Sequence, residues 1–422
     1  MTWAGTRVTT SRLALWALAA FVFFIPSDTG VTISGVGSLS RMVGLIAFGA
    51  GALSLVAGGR LRVRMPSLFL VVAALFTLWS AVTFFWSIAP SDTFGRISTY
   101  GQLVVMAWLL HQLVRDDRDL DFIWQAFVLG CYVMVGTGLM AFLGGADYRN
   151  VGGRNPNGFA IVAALAIPMA WGLTLRRSHS WLYWLNAAYP LIALLAVVLA
   201  ASRGGLLTAL VAVVVIPLTL RQVSSVTRVA LFVGIAAVVW AGFSYVPTAL
   251  PELQRNLDRL GETEEQIIGG TMTGRTTIWT AGAEVFRSSA VGGVGMGGFN
   301  RAVLPILGAP RSPHNAFLSV AVGGGIVALL LFSGLVLISA VSAFLRSERR
   351  LEHLVLFAAL LVGMMPTNSD NDKFAWFVLG ALAAAKPLLL SLAPLGRAQR
   401  ISSRASSFPS ARFRPAARRP AS

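Results

Sequence analysis

The 422-residue chain has few charged residues and a single cysteine. Only 12% of its residues are charged, whereas 56% are hydrophobic, and the mean hydropathy is +0.72. Because soluble domains carry about 25% charged residues, an ordinary water-soluble fold is excluded. Cys131 lies inside an apolar run, so an intrachain disulfide and a cysteine-based metal site are excluded as well.

Long apolar runs are abundant instead, and most are close to the length that crosses a hydrocarbon core of ~30 Å. We predict an all-α polytopic membrane protein with about 12 transmembrane helices over residues 1–396. One long, partly helical periplasmic loop, residues 248–314, separates the ninth run from the tenth. The runs fall near residues 13–25, 42–58, 67–88, 97–114, 121–143, 158–175, 181–201, 204–220, 229–247, 315–345, 352–366 and 374–394.

Positive charge is distributed unevenly among the predicted loops. If the N-terminus is cytoplasmic and the runs alternate, the inner segments hold 14 basic residues and the short outer loops hold six. Because Lys and Arg accumulate on the cytoplasmic side of membranes, both termini are predicted to be cytoplasmic. The net charge of +17 therefore indicates orientation rather than nucleic-acid binding. Residues 397–422 carry seven further arginines and are predicted to form a disordered tail attracted to anionic membrane lipids.

The predicted outer face collects arginine, asparagine and histidine from four segments. Arginine suits a diphosphate substrate, because guanidinium binds phosphate oxygens in pairs and stays protonated. A histidine that titrates near neutrality can accept a proton from an attacking hydroxyl. The segments are Arg154-Asn155-Pro156-Asn157, Ser202-Arg203-Gly204-Gly205, Gly274-Arg275 and Pro313-His314-Asn315.

Each of these residues also has an ordinary interpretation. Arg154 is also explained as an exposed loop charge, Arg203 as a side chain that reaches the membrane interface, and His314 as a helix cap. Arg275 precedes a predicted amphipathic helix over residues 276–288, where its positive charge opposes the helix dipole. That unfavourable position favours a functional role for Arg275.

Three further clusters are interpreted as structural. The glycine-rich segment 292–298 lacks both the preceding strand and the following Lys-Ser/Thr of a phosphate-binding loop, so it predicts a plain turn. Asp370 and Asp372 have the spacing of a metal-binding pair, but ordinary turn chemistry explains them better. The aspartates near residues 117–121 predict a solvated loop before a helix start.

Taken in order, these motifs resemble the O-antigen ligase and O-antigen polymerase superfamily of bacterial membrane glycosyltransferases. The resemblance covers about residues 150–345, with one departure, since Ala328 stands where the family pattern has a glycine after Gly325. The segments that carry it are Asn155-Pro156-Asn157-Gly158-Phe159-Ala160, Ser202-Arg203-Gly204-Gly205, Gly274-Arg275 with Trp279, Phe286, Gly293-Val294-Gly295 and Phe299, and His314-Asn315 with Gly325.

The resemblance implies a glycosyltransferase of the GT-C type that needs no metal or cofactor and acts at the outer face of the bacterial inner membrane. Its donor would be a glycan on undecaprenyl diphosphate. Its acceptor would be lipid A-core in a ligase or a lipid-linked glycan in a polymerase, and these two stay open; a protein Ser or Thr is less expected. No nucleic acid is implied as a partner.

The family roles transfer to matching positions of this sequence. Arg203 and Arg275 would grip the diphosphate, and His314 would orient or deprotonate the acceptor hydroxyl. Arg154 is predicted to be a secondary donor contact. Asn157 and Asn315 are predicted to bind substrate.

Two other classes of protein are alternatives to the glycosyltransferase. A transporter or flippase for polysaccharide or lipid-linked glycan also has about a dozen spans with both termini inside. Such proteins usually show repeat symmetry and ionisable residues near the membrane midplane, and the sequence displays neither. A silent scaffold is disfavoured by the ordered set of arginines and histidine.

Overall fold

The computed structural model describes residues 3–27, 32–33, 37–56, 63–144, 155–176, 181–220, 224–234, 237, 275–346 and 348–385. The predicted tail 397–422, residues 248–274 of the predicted loop, and Arg154 lie outside these residues. The boundaries predicted for the transmembrane region, the loop and the tail therefore stay predictions.

The described chain is helical apart from a pair of two-residue antiparallel strands, β1 (Thr32–Ile33) and β2 (Gly37–Ser38). One-turn helices cover Thr83–Trp86, Phe299–Ala302, Leu304–Leu307 and Ser369–Asn371. The α-helices are α1 (Trp3–Phe24), α2 (Leu39–Val56), α3 (Leu68–Val82), α4 (Pro90–Leu113), α5 (Asp117–Leu143), α6 (Pro156–Arg176), α7 (Trp181–Leu199), α8 (Arg203–Val213), α9 (Val215–Thr219), α10 (Ser225–Gly234), α11 (Arg275–Ser288), α12 (Ala316–Leu345), α13 (Arg350–Met364) and α14 (Lys373–Ala385).

Several helix starts follow from capping side chains. The Asp116 carboxylate accepts hydrogen bonds from the backbone N–H groups of Arg118 and Asp119 at 2.9 Å each, and α5 begins there. Ser67 caps α3 in the same way by accepting from Leu70. These bonds satisfy N–H groups that have no partner within the helix, so they fix where each helix begins.

Five helices are long and apolar enough to cross a membrane: α3 with the turn that follows it, α5, α6, α7 and α12. Shorter apolar helices accompany them, and every predicted apolar run contains helix in its described part. The all-helical, integral-membrane fold is therefore confirmed. The count of about 12 spans and the orientation of the termini stay predictions.

Helix α6 forms the centre of the bundle. It is the most deeply buried of the five candidate spans, and it packs against α5, α7, α8 and α13. Its side chains from Phe159 to Ala170 are all buried, which the sequence accommodates with small residues such as Ala160, Ala163 and Ala164. The start of α6, where the predicted site begins, is therefore held by a rigid core.

The predicted solvated aspartates, Asp117, Asp119 and Asp121, all lie within α5 rather than in a loop. Asp121 lies within α5 and forms ion pairs with Arg176 and Arg349 at 2.8 Å each. Arg176 also pairs with the buried Glu352 at 2.7 Å. The solvated-loop prediction is therefore wrong: Asp117 also pairs with Arg346 and Arg349, and the Asp121 carboxylate joins α5, the C-terminal end of α6 and the N-terminal end of α13.

Helix α12 is broken at Gly325, which has φ 68° and ψ −166°. The segment 290–298, which includes the glycine-rich residues 292–298, fills the break: Ile326 donates to Ala290 O at 2.8 Å, and Gly295 donates to Gly323 O at 2.9 Å. A Cβ at Gly325 would lie 2.0 Å from Val291 O, so only glycine fits. The predicted single span 315–345 is thus two helical pieces joined through a second backbone segment.

Candidate functional site

The first predicted segment forms the start of α6. The Asn155 side chain accepts a hydrogen bond from Asn157 N at 2.9 Å, and Pro156 occupies the first helical position, where its missing N–H costs nothing. Asn157 then accepts a hydrogen bond from the Ser202 hydroxyl at 2.6 Å. The first predicted segment therefore contacts the second directly.

The second segment begins α8. Ser202 is buried, and its hydroxyl oxygen caps α8 by accepting from Gly205 N at 3.0 Å. Arg203 follows as the first helical residue and is half-buried. Ser202 thus fixes the starting point of the helix that carries Arg203.

The two glycines after Arg203 are needed for close packing. A Cβ at Gly205 would lie 2.2 Å from the Ala160 Cβ, and a Cβ at Gly204 would lie 2.7 Å from the Pro366 Cγ. Any larger residue would push α8 away from α6 or from the segment after α13. The motif around Arg203 is therefore a packing motif as well as a source of charge.

The third and fourth segments are also joined to each other. Arg275 is the first residue of α11, and the Trp279 indole N–H donates to Pro313 O at 3.0 Å, immediately before His314. The amphipathic face predicted for α11 is confirmed, because Gly282 and Val285 are buried there. Ile278 and Phe286 pack against the same small cluster, whose buried members are Ala281, Val285, Phe299, Val303 and Val322.

Asn315 has a defined structural role. Its side-chain oxygen accepts from Leu318 N at 3.0 Å and caps α12. Sequence reasoning predicted substrate binding for Asn315 and Asn157, which stays a prediction for both. The hydrogen bonds show that each also fixes the start of a helix at the site.

Backbone strain is concentrated at the same place. Within the described residues, Ala201 and His314 are the non-glycine positions with positive φ, each at 45°. Such residues cost about 1–3 kcal/mol each and persist where the surrounding structure holds them. One lies two residues before Arg203 and the other is the candidate base.

The electrostatics link the three candidate catalytic residues. Burial lowers the pKa of Arg275, and the positive charge of Arg203 lowers it further. Burial also lowers the pKa of His314, with Arg275 adding to the effect. The two guanidinium groups remain cations, whereas the imidazole of His314 is neutral at pH 7 and able to accept a proton.

Both arginines occupy helix positions at which a positive charge is disfavoured. Arg203 and Arg275 are the first residues of α8 and α11, where the positive end of the helix dipole opposes a cation. Their charges also repel each other. No carboxylate contributes to the pKa of Arg275 among the described residues, so the arrangement is suited to an anion that both arginines share.

The glycine-rich segment does not serve as a phosphate cradle. Five of its seven backbone N–H groups are already used: those of Gly293, Val294, Gly295 and Gly298 donate to backbone carbonyls and that of Met296 to the Thr83 hydroxyl, at 2.9–3.2 Å. A phosphate-binding loop needs such groups pointing at the ligand. The segment is a packed turn, as the absence of flanking phosphate-loop residues predicted.

The acidic pair predicted as a turn is built into the bundle. Asp370 is fully buried and accepts hydrogen bonds from Arg96 and from the Tyr100 hydroxyl at 2.8 Å each. Among the residues that the structure describes, no group of three or more His, Cys, Asp or Glu is arranged to hold a metal ion. Metal independence of the activity stays a prediction.

Sequence reasoning assigned no role to three residues that position the site. Ser202 and Trp279 make the contacts described above. Asn368 donates from its side-chain amide to the Ser312 hydroxyl, two residues before His314. Ser202 and Trp279 stand within the motifs and Asn368 lies outside them. The sequence does not show that any of the three positions the site, because their hydrogen-bond partners are distant in the chain or depend on packing.

Comparison with known families gives a match over part of the chain. Residues 188–333 match the family model described as O-antigen ligase. This confirms the predicted resemblance to the O-antigen ligase and polymerase superfamily, and Arg203, Arg275 and His314 all lie within the matched residues. No curated protein matched the chain.

Proposed function

Starting from the match of residues 188–333 to the O-antigen ligase family, we propose that this integral membrane protein is a glycosyltransferase. It transfers a glycan from undecaprenyl diphosphate to a sugar hydroxyl at the outer face of the bacterial inner membrane. The observation that carries the proposal is geometric: Arg203 and Arg275 each begin a helix, and hydrogen bonds join the segments that hold Arg203, Arg275 and His314 in pairs. Arg203 acts on the pKa of Arg275, and Arg275 on that of His314.

The diphosphate would bind at the starts of α8 and α11. A helix N-terminus attracts anions, and α8 and α11 each present one together with an arginine. A diphosphate bound by Arg203 and Arg275 would relieve their mutual repulsion and the opposition of both helix dipoles. The same contacts stabilise the negative charge that develops on the leaving diphosphate oxygen.

The transfer step uses His314 as the base. The acceptor hydroxyl oxygen attacks the anomeric carbon of the donor sugar and forms the new glycosidic bond. The bond from that carbon to the diphosphate oxygen breaks, with inversion, and undecaprenyl diphosphate leaves with the bonding electrons. The hydroxyl proton passes to the neutral imidazole of His314.

Charged residues within helices and a broken helix are features expected of a transporter, and both have structural explanations in this protein. The ion pairs of Asp121, Arg176 and Glu352 lie at helix ends rather than at mid-helix. The break at Gly325 is filled by another backbone segment rather than left to line a cavity. These observations favour the glycosyltransferase over the transporter or flippase.

The surface-polysaccharide profile of a deletion strain tests the proposal. Loss of all polymer from lipid A-core supports a ligase, and a single repeat unit on the core supports a polymerase. A plasmid copy of the gene should restore the profile, and one carrying His314→Ala should not. An unchanged profile together with a defect in moving lipid-linked glycan across the membrane would replace the proposal with the transporter.

A further inference from the structure

A groove separate from the candidate site opens between α1, α2 and α4. It has a volume of about 420 Å³ and a wall that is apolar along Gly44, Phe48, Val105 and Leu109. None of its lining residues belongs to α6, α8, α11 or α12, which carry the candidate site. We call this feature the lateral groove.

The lateral groove is cationic at one end. Arg41, in the first turn of α2, and Lys373, the first residue of α14, both line it, and no acidic residue does. The Lys373 ammonium donates to the hydroxyl of the buried Ser40 at 2.6 Å, which holds it beside the start of α2.

The two cations lie at helix starts, where the dipoles disfavour positive charge. A bound anion at the mouth of the groove would offset that penalty for both α2 and α14. Two basic side chains beside an apolar channel complement a molecule with a phosphate at one end and hydrocarbon behind it.

The length of the lateral groove fits a lipid of one leaflet. Its lining on α4 runs from Ser98 to Leu109, which is about 16 Å at 1.5 Å per residue. Half of a hydrocarbon core of ~30 Å is about 15 Å.

We propose that the lateral groove binds an anionic membrane phospholipid, with its phosphate on Arg41 and Lys373 and an acyl chain along α2 and α4. A phospholipid fits better than a polyprenyl diphosphate, because the groove from the cations to Leu109 is one leaflet deep. The site is independent of the candidate diphosphate site, which has its own cations.

Native mass spectrometry of the full-length protein, titrated with phosphatidylglycerol after delipidation, tests this proposal. Two variants should each weaken binding by at least tenfold: the double substitution Arg41→Gln/Lys373→Gln, and Gly101→Leu, which fills the groove without changing charge. Gly101 lines the groove, and no atom lies within 4 Å of a Cβ placed there, so the variant should fold.

Two controls match these variants. Gly95→Leu makes the same exchange on α4 outside the groove, also with no atom within 4 Å. Arg12→Gln/Arg118→Gln removes two charges elsewhere. Both should stay within twofold of wild type, and phosphatidylcholine should bind at least tenfold more weakly than phosphatidylglycerol. Equal binding of the two lipids, full binding by either test variant, or displacement of phosphatidylglycerol by equimolar undecaprenyl phosphate would overturn the proposal.

Discussion

The Ser202 hydroxyl donates to the Asn157 side-chain oxygen at 2.6 Å and thereby joins the starts of α6 and α8. Ser202 also caps α8 by accepting from Gly205 N. Arg203 is the next residue, so its position depends on a hydrogen bond made by a helix 45 residues earlier in the chain. Two motifs that look independent in the sequence are one structural unit.

We expect Asn157→Ala to lower glycan transfer by about fivefold to tenfold, since a hydrogen bond contributes about 1–1.5 kcal/mol. Ser202→Ala should lower it at least as much, because that variant also loses the helix cap. The double variant should be no worse than Ser202→Ala alone. Transfer rates per folded protein, in matched proteoliposomes, measure this coupling.

Asn186→Ala is the control for the single and double variants of Asn157 and Ser202. It is a buried asparagine that exchanges hydrogen bonds with Gln125 at 2.9–3.0 Å, between α5 and α7. Asn186→Ala should lower the melting temperature without changing transfer per folded protein. Strictly additive losses in the Asn157 and Ser202 variants would show that the two side chains act separately.

The glycines of the Arg203 motif give a prediction about stability. Gly205→Ala and Gly204→Ala should each lower the free energy of unfolding by about 1–3 kcal/mol, because the added Cβ overlaps Ala160 or Pro366. The melting temperature in detergent measures the effect. Gly136→Ala in α5, which has no atom within 4 Å of the new Cβ, should leave it unchanged or higher. A Gly205→Ala protein as stable as wild type would refute the packing role.

The pH dependence of transfer should report His314. Because burial and the charge of Arg275 favour the neutral imidazole, the pKa of His314 lies below its usual 6.5. A base must be deprotonated, so kcat/KM should fall as the pH drops through that lowered pKa and stay level above it. His314→Gln should abolish this acidic limb and lower kcat. A Gln variant with an unchanged pH profile would remove His314 from proton transfer.

Helix positions were predictable because an apolar run of membrane length has few other folded solutions. The helix at Arg275–Ser288 was equally predictable, because its apolar residues recur with helical spacing. The break at Gly325 was not, because a glycine within an apolar run gives no sign of positive φ. Only the packing of the segment 292–298 against α12 determines it.

The residue types of the candidate site were predictable from the sequence, but the contacts between them were not. Arginines and a histidine before apolar runs signalled anion binding, but the pairing of Asn157 with Ser202 joins residues far apart in sequence. Asp121 illustrates the same limit, because its ion pairs with Arg176 and Arg349 depend on three helices ending at one level. The hydropathy pattern predicts which residues form the helices of the bundle, but it does not predict which helix ends contact each other.

The central claim is that Arg203 and Arg275 together bind the donor diphosphate. Transfer from a purified undecaprenyl-diphosphate-linked glycan, measured in proteoliposomes, tests it with Arg203→Ala and Arg275→Ala, and with Arg287→Ala as the control on an exposed position of α11. We predict that each of the first two variants loses at least 100-fold in rate while inserting normally, and that Arg287→Ala keeps full activity. Full activity in a correctly inserted Arg203→Ala or Arg275→Ala protein would contradict the claim.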